Sequence, residues 1–110
     1  MSAAGSTPAY GATLGEIIAT LEAAGFTGQL AARPGGTIMC FTCRNENPAT
    51  AFTLQAQRRT EGASDPDDML AILGLTCPSC GAQGTIVLGY GPESDADDAE
   101  VLAHLGIARQ

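Results

Sequence analysis

The sequence predicts a small α+β domain in which an antiparallel sheet is built around a metal site and flanked by an N-terminal and a C-terminal helix. Two segments near the ends of the chain have apolar residues at helical spacing, and the segment between them alternates short β-type runs with turns. Two Cys-x-x-Cys pairs contain all four cysteines. With 110 residues, 45% of them apolar, the chain can form one modest core.

The first predicted element is a helix over residues 13–24. Residues 1–11 are rich in Ser, Ala, Gly and Pro and are predicted to form a flexible tail, which leaves residues 12–110 as a single domain. Thr13 and Glu16 fit a capping box, and Gly25 followed by Phe26 is a typical helix end. The helical spacing is that of Leu14, Ile17, Ile18, Leu21 and Ala24.

The next segments are predicted to be strands. Residues 29–33 and 37–40 flank a Pro-Gly-Gly turn, and the first cysteine pair follows the second of these strands. Residues 51–60 alternate Phe52, Leu54 and Ala56 with polar residues, which predicts a half-buried strand. An acidic loop is expected over residues 61–68.

The last third of the chain is predicted to be strand, strand and helix. Residues 69–76 form a nearly continuous apolar run that ends at the second cysteine pair, and residues 85–90 form another strand. A final helix is expected to start near Asp95, because acidic residues in a first turn suit the helix dipole. Its apolar face consists of Val101, Leu102 and Leu105.

The two cysteine pairs predict a tetrahedral site for one Zn²⁺ with ligands Cys40, Cys43, Cys77 and Cys80. Pro78 and Gly81 suit the tight turn of a metal knuckle, since proline fixes φ and glycine accepts a left-handed backbone. The first pair departs from this pattern at Arg44, where a left-handed φ would cost roughly 1 kcal/mol. The 33 residues between the pairs are long for a compact zinc motif.

This part of the chain resembles the zinc ribbon family, on the evidence of the four cysteines with Pro78 and Gly81. The resemblance covers roughly residues 37–90 and implies two knuckles beside a three-stranded antiparallel sheet. More loosely, residues 58–66 and 84–92 resemble segments of small zinc-ribbon proteins of high-GC bacteria. That likeness implies a fold and no activity.

Three other uses of the cysteines compete with structural zinc. A rubredoxin-like iron site, and with it electron transfer, also uses two such pairs, but the first pair lacks its glycine and the chain has no tryptophan. A dithiol oxidoreductase needs a reactive pair at a helix N-terminus, whereas both pairs follow predicted strands. Structural disulfides are disfavoured in a reducing cytosol.

Other candidate site residues have less specific interpretations. His104 is expected at a surface or boundary, because four cysteines already complete a tetrahedral shell. Asp65, Asp67 and Asp68 lack the glycine and the glutamate of a calcium loop. A candidate binding patch for a carboxylate, a phosphate or a nucleic-acid strand comprises Arg33, Arg44, Arg58 and Arg59, although local charge compensation is the simpler interpretation.

Charge and motifs narrow the function. The 12 acidic residues outnumber five arginines, there is no lysine, and the net charge of −7 disfavours non-specific nucleic-acid binding. No stretch is long enough for a membrane span and no secretory signal is apparent, which favours a cytoplasmic location. No catalytic motif is present. We expect a non-enzymatic module that binds another protein, with a nucleic-acid-associated ribbon and an iron electron carrier as the alternatives.

Overall fold

The computed structural model describes residues 14–60, 70–90 and 95–106, which contain two helices, six strands and a short 3₁₀ turn. The predicted tail and the predicted acidic loop lie outside these residues. In chain order the elements are α1 (Leu14–Ala23), β1 (Gly28–Arg33), β2 (Thr37–Cys40), β3 (Asn45–Pro48), the 3₁₀ turn (Ala49–Ala51), β4 (Thr53–Arg59), β5 (Leu70–Thr76), β6 (Gln83–Gly89) and α2 (Ala96–His104). The α+β class is as predicted. No helix in the described part of the chain is long and apolar enough to cross a membrane.

The six strands form one mixed sheet in the order β3-β2-β1-β6-β5-β4. Strands β1–β3 make an antiparallel first half-sheet and strands β4–β6 make an antiparallel second half-sheet. The two halves meet where β1 runs parallel to β6, so the prediction of a purely antiparallel sheet is wrong at this seam. The reason is geometric. The strands β2 and β5 both end at a cysteine pair, so their antiparallel neighbours β1 and β6 both start at that end.

The parallel seam is short and depends on close backbone approach. Only two pairs define its register, Gly28 with Gly84 and Gln29 with Thr85. A Cβ atom on Gly84 would lie 2.9 Å from the carbonyl carbon and oxygen of Gly28. Glycine is therefore required at position 84 for the strands to approach this closely.

Strand β5 is buried on both faces, which explains its uninterrupted apolar sequence. On one face Ala71, Leu73 and Leu75 join a core that includes Val101 and Leu102 of α2. On the opposite face the strand packs against α1, through contacts of Ile72 with Ile17, Leu21 and Phe26. The helices thus cover opposite sides of the sheet.

The C-terminal end of α1 forms as predicted. Gly25 has a φ of +110°, and the Phe26 N–H donates to the Leu21 carbonyl at 3.0 Å, a Schellman-type closure. Phe26 then folds back and lies over Gly74 of β5. Thr13, one half of the predicted capping box, lies outside the described residues.

Strand β4 differs from its prediction. Phe52 is buried, but it precedes the strand, and Leu54 is 36% exposed. The register shifts between Leu54 and Ala56, which interrupts the alternation that the sequence pattern suggested. This strand is the outer edge of the sheet, so its side chains are largely exposed rather than half-buried.

Helix α2 begins after Asp95 as predicted, and Val101 and Leu102 are fully buried. Two acidic side chains fix it to the sheet. Asp98 accepts a hydrogen bond from the Gly89 N–H at 2.9 Å, and Glu100 accepts one from the Gly35 N–H at 3.2 Å.

Candidate metal centre

The two cysteine pairs lie at the ends of the central strands of the two half-sheets. Cys40 is the last residue of β2, and Cys43 follows in the turn that leads to β3. Cys77 directly follows β5, and Cys80 lies in the turn that leads to β6. Each pair therefore occupies a hairpin turn, and each half-sheet contributes one pair.

The structure brings the four sulfur atoms together as the sequence predicted. All four Sγ atoms lie within 4.8 Å of one another. The Sγ atoms of Cys40 and Cys80 are 3.9 Å apart, and those of Cys43 and Cys77 are 3.8 Å apart. A tetrahedron with metal–sulfur bonds of about 2.3 Å has edges of about 3.8 Å, so the cluster matches the size of a four-thiolate metal shell.

Disulfides do not explain this arrangement. The four cysteines are free, and the short sulfur–sulfur distances given above join residues of different pairs. A disulfide bond length is about 2.05 Å, which is far below these separations.

The two knuckles share one backbone geometry. The Arg44 N–H donates to the Cys40 carbonyl at 2.7 Å, and the Gly81 N–H donates to the Cys77 carbonyl at 2.9 Å. Arg44 has a φ of +63° and Gly81 a φ of +75°. Among the described residues Arg44 is the one non-glycine residue with a positive φ, so the strain considered for this position is present.

The thiols differ in their electrostatic surroundings. Burial opposes ionisation of Cys40, but hydrogen bonds from the backbone of Cys43 and Thr42, together with those from the Cys77 and Cys43 thiols, outweigh it and lower the Cys40 pKa to about 7. At Cys80 a backbone hydrogen bond from Ala82 favours the thiolate. The three neighbouring sulfurs, together with partial desolvation of this exposed thiol, outweigh that bond and raise the Cys80 pKa to about 11. A bound cation would reverse the second effect, because it neutralises the repulsion between thiolates.

Burial of the four cysteines is also unequal. Cys40 and Cys77 are 1% exposed and belong to the main core cluster, whereas Cys80 is exposed. The cluster therefore joins the core on one side and reaches the surface on the other. With four protein ligands a tetrahedral ion has no open position, which is typical of structural sites.

Two contacts near the cluster were not predicted from the sequence. The Asn47 side chain donates to the Ser79 hydroxyl at 2.9 Å, which ties β3 to the second knuckle. The Phe41 N–H donates to the Gln29 carbonyl at 3.1 Å, which ties the first knuckle to β1. The sequence around these residues does not indicate either contact, because both contacts depend on how the strands are arranged in the folded sheet.

The predicted arginine patch stays a prediction. Arg33 pairs with Glu46 at 3.3 Å, and Arg44 belongs to the first knuckle. Arg58 and Arg59 lie on the outer edge strand β4, where the Arg59 guanidinium stacks 4.9 Å from the centre of the Tyr90 ring.

The other candidate ligands are placed as follows. His104 is exposed, its Nδ1 lies 2.7 Å from the Glu100 carbonyl oxygen, and its ring lies against Gly36. Within the described residues, the group suited to a metal contains the four cysteines and does not include His104. Asp65, Asp67 and Asp68 lie outside the described residues.

Comparison with known proteins adds no family. No protein-family model matches the chain, and neither a curated protein nor a solved structure is significantly similar to it. The interpretation of the cysteine cluster therefore rests on its geometry.

Proposed function

We propose that this protein binds one structural Zn²⁺ through Cys40, Cys43, Cys77 and Cys80, as a zinc ribbon does. The observation that carries the proposal is the clustering of the four Sγ atoms within 4.8 Å of one another. Two distances between the pairs, 3.8 and 3.9 Å, are close to the edge of a zinc–thiolate tetrahedron. The ion would connect the two half-sheets at the end where their parallel seam begins. Its binding free energy would then contribute to the free energy of folding.

Zinc is favoured over iron by the residues around the cluster. Thiolate tetrahedra bind both metals. The chain has no tryptophan and few other aromatic residues, and the buried neighbours of Cys40 and Cys77 are mostly aliphatic. The arginine in left-handed geometry at position 44 also departs from the glycine of a rubredoxin-type loop.

The role that we propose for the metal-bound fold is non-enzymatic: a cytoplasmic module that binds another protein. A closed four-cysteine shell offers no position for water or substrate, which supports a structural metal. Nucleic-acid binding has less support, because Arg33 is paired with Glu46 and Arg59 stacks on Tyr90 in an acidic protein.

Metal content tests this proposal directly. Elemental analysis of protein purified under reducing conditions should give one zinc per chain. The variant Cys77→Ser should lose the metal, whereas Ser79→Ala, a change in the same knuckle at a non-ligand position, should retain it. A well-folded preparation without metal, or one with iron, would contradict the proposal.

Generic single- and double-stranded oligonucleotides test the choice of partner. Fluorescence anisotropy should detect no binding at physiological salt. Micromolar, salt-sensitive binding that is lost in the Arg58→Ala/Arg59→Ala double variant would favour a nucleic-acid role instead.

A further inference from the structure

A surface groove lies along the seam between the half-sheets, on the side of α1. Backbone pairing between β1 and β6 stops at Gln29 and Thr85, and the groove is bounded by both strands, by α1 and by the first knuckle. Its volume is about 320 Å³. The lining residues used below are Ile18, Glu22, Ala31, Phe41 and Val87.

Exposed apolar side chains concentrate at this groove. Among the described residues three large apolar side chains are exposed: Phe41 at 52%, Val87 at 37% and Leu54 at 36%. Phe41 and Val87 both line the groove, whereas Leu54 lies on the outer edge strand β4. Helix α1 packs on β5 and β6 rather than on the first half-sheet. Clustered apolar exposure of this kind marks a binding surface.

The charge around the groove indicates the kind of partner. Phe41 lies between two metal ligands, and four thiolates with one divalent cation carry a charge of about −2. Glu22 adds a negative charge at the wall formed by α1. Arg44 offsets part of this charge, while Arg33 is already paired with Glu46. The groove therefore combines a mainly apolar lining with one carboxylate, that of Glu22, and its Phe41 end adjoins the cysteine cluster in the chain.

This combination excludes some occupants on electrostatic grounds. A second copy of the chain would bring a second Glu22 and a net charge of −7 against the first. Nucleic acid and anionic membrane surfaces would be repelled for the same reason. A cationic segment with an apolar side chain satisfies both properties of the groove.

We propose that the groove docks a basic peptide segment of another protein. One apolar side chain of the segment would insert between Ile18, Phe41 and Val87, and its Lys or Arg side chains would face Glu22 and the metal centre. This proposal specifies the kind of protein that the module binds. It rests on the proposed function because part of the negative charge belongs to the metal-bound thiolates.

Two labelled 12-residue peptides test the proposal with the zinc-loaded full chain. Both peptides have leucines at the same positions. The remaining positions are lysines in one peptide, the Lys/Leu peptide, and glutamates in the other, the Glu/Leu peptide. Fluorescence anisotropy should detect the Lys/Leu peptide and not the Glu/Leu peptide. In a ¹³C-methyl NMR spectrum the Lys/Leu peptide should shift Ile18, Ala31 and Val87 more than the methyl groups of the main core.

Matched variants separate the groove from general attraction. Phe41→Ser should weaken binding of the Lys/Leu peptide by about 10-fold, the usual scale for an aromatic anchor, whereas Leu54→Ser should leave it unchanged. Glu22→Gln should weaken it more than Asp95→Asn, because Asp95 precedes α2 on the opposite side of the sheet.

Several outcomes would overturn the inference. These are equal binding of both peptides, equal losses in the groove variants and their controls, concentration-dependent self-association that Phe41→Ser abolishes, or no binding at all. Metal content measured on the same samples separates the two proposals. Zinc-loaded protein whose groove does not bind the Lys/Leu peptide contradicts only the groove. Metal-free folded protein contradicts the proposed function.

Discussion

The two half-sheets of this protein differ in the length of their strand pairing and in how many of their side chains are buried. Strands β5 and β6 pair over seven residues each, and β5 is buried on both faces, against α1 on one side and within the main core on the other. Strands β2 and β3 pair over only four residues each, and β3 is largely exposed. In the first half-sheet the side chains that are buried and apolar are few, chiefly Leu30, Ile38 and Cys40.

The difference shows where an added constraint has the most effect. Strands β5 and β6 of the second half-sheet bury more apolar side chains than the three strands of the first, so burial stabilises the second half more. Helix α1 packs on the second half-sheet rather than on the first, and the first half-sheet is joined to its neighbour by a seam of two residue pairs. A metal that binds Cys40 and Cys43 from the weaker half and Cys77 and Cys80 from the stronger half would attach the former to the latter.

The largest expected effect is therefore that of metal removal, and it should be uneven. Chelation should raise amide hydrogen exchange in β2 and β3 by orders of magnitude, while the central residues of β5 remain protected longest. Chelation should also be easier at mildly acid pH. Metal binding requires thiolates, including Cys80 with its raised pKa of about 11, so protons compete with the cation.

As a control, zinc in excess over the chelator is added back to the chelated protein at pH 8. Protection in β2 and β3 should then return. If chelation leaves exchange unchanged throughout, or loosens β5 before β2, the metal does not attach the weaker half to the stronger one.

The second prediction tests the packing of the stronger half. A Cβ atom on Gly74 would lie 2.9 Å from the ring atoms of Phe26, which is buried, so Gly74→Ala must displace that ring. We expect a loss of about 2 kcal/mol in the free energy of unfolding, as for other overpacked cores. Urea denaturation of the zinc-loaded protein measures it.

Gly15→Ala is the matched control, because it adds the same methyl group to α1 where, apart from the adjacent residues and the helix backbone, no atom lies within 4 Å. It should stabilise the protein by up to about 1 kcal/mol, since alanine favours a helix. Equal effects at both positions would show that the contact between Phe26 and Gly74 has no special importance.

Local patterns in the sequence predicted most elements of both halves, and the two cysteine pairs predicted that four sulfur atoms meet. Strand β3 was not predicted, because the polar residues Asn45–Pro48 carry no β-type pattern. The apolar run before Cys77 predicted β5, and the Gly25–Phe26 pair predicted the end of α1. The sheet as a whole was predicted less well. The parallel pairing of β1 with β6 can be predicted only by assuming that both cysteine pairs bind one metal. The register shift between Leu54 and Ala56 has no recognisable pattern in the local sequence. The contact of Asn47 with Ser79 depends on tertiary packing in the same way.

The third prediction compares the two knuckles. Arg44 and Gly81 occupy equivalent left-handed positions, but only arginine has a Cβ atom that is strained there. Arg44→Gly should stabilise the zinc-loaded protein by roughly 1 kcal/mol, and Gly81→Ala should destabilise it by a similar amount. Thermal unfolding with saturating zinc measures both. If Arg44→Gly is destabilising, the side chain makes a contribution that outweighs its backbone strain.

The smallest expected effect concerns the attachment of α2. Burial raises the pKa of Asp98, with smaller contributions from Asp95 and Asp97, against the hydrogen bond from the Gly89 N–H. A raised carboxyl pKa means that ionisation at neutral pH costs stability, and that this cost disappears as the pH falls through the raised pKa.

The variant Asp98→Asn tests this cost, because asparagine keeps an acceptor for the Gly89 N–H without the charge. It should therefore unfold at a higher temperature than Asp97→Asn at pH 7.5, because both variants lose the same attraction to the helix N-terminus. The difference in unfolding temperature between Asp98→Asn and the wild type should shift in favour of the wild type as the pH is lowered towards 5, because Asp98 of the wild type then becomes protonated. A constant difference across this range would show that burial of the Asp98 charge does not affect stability.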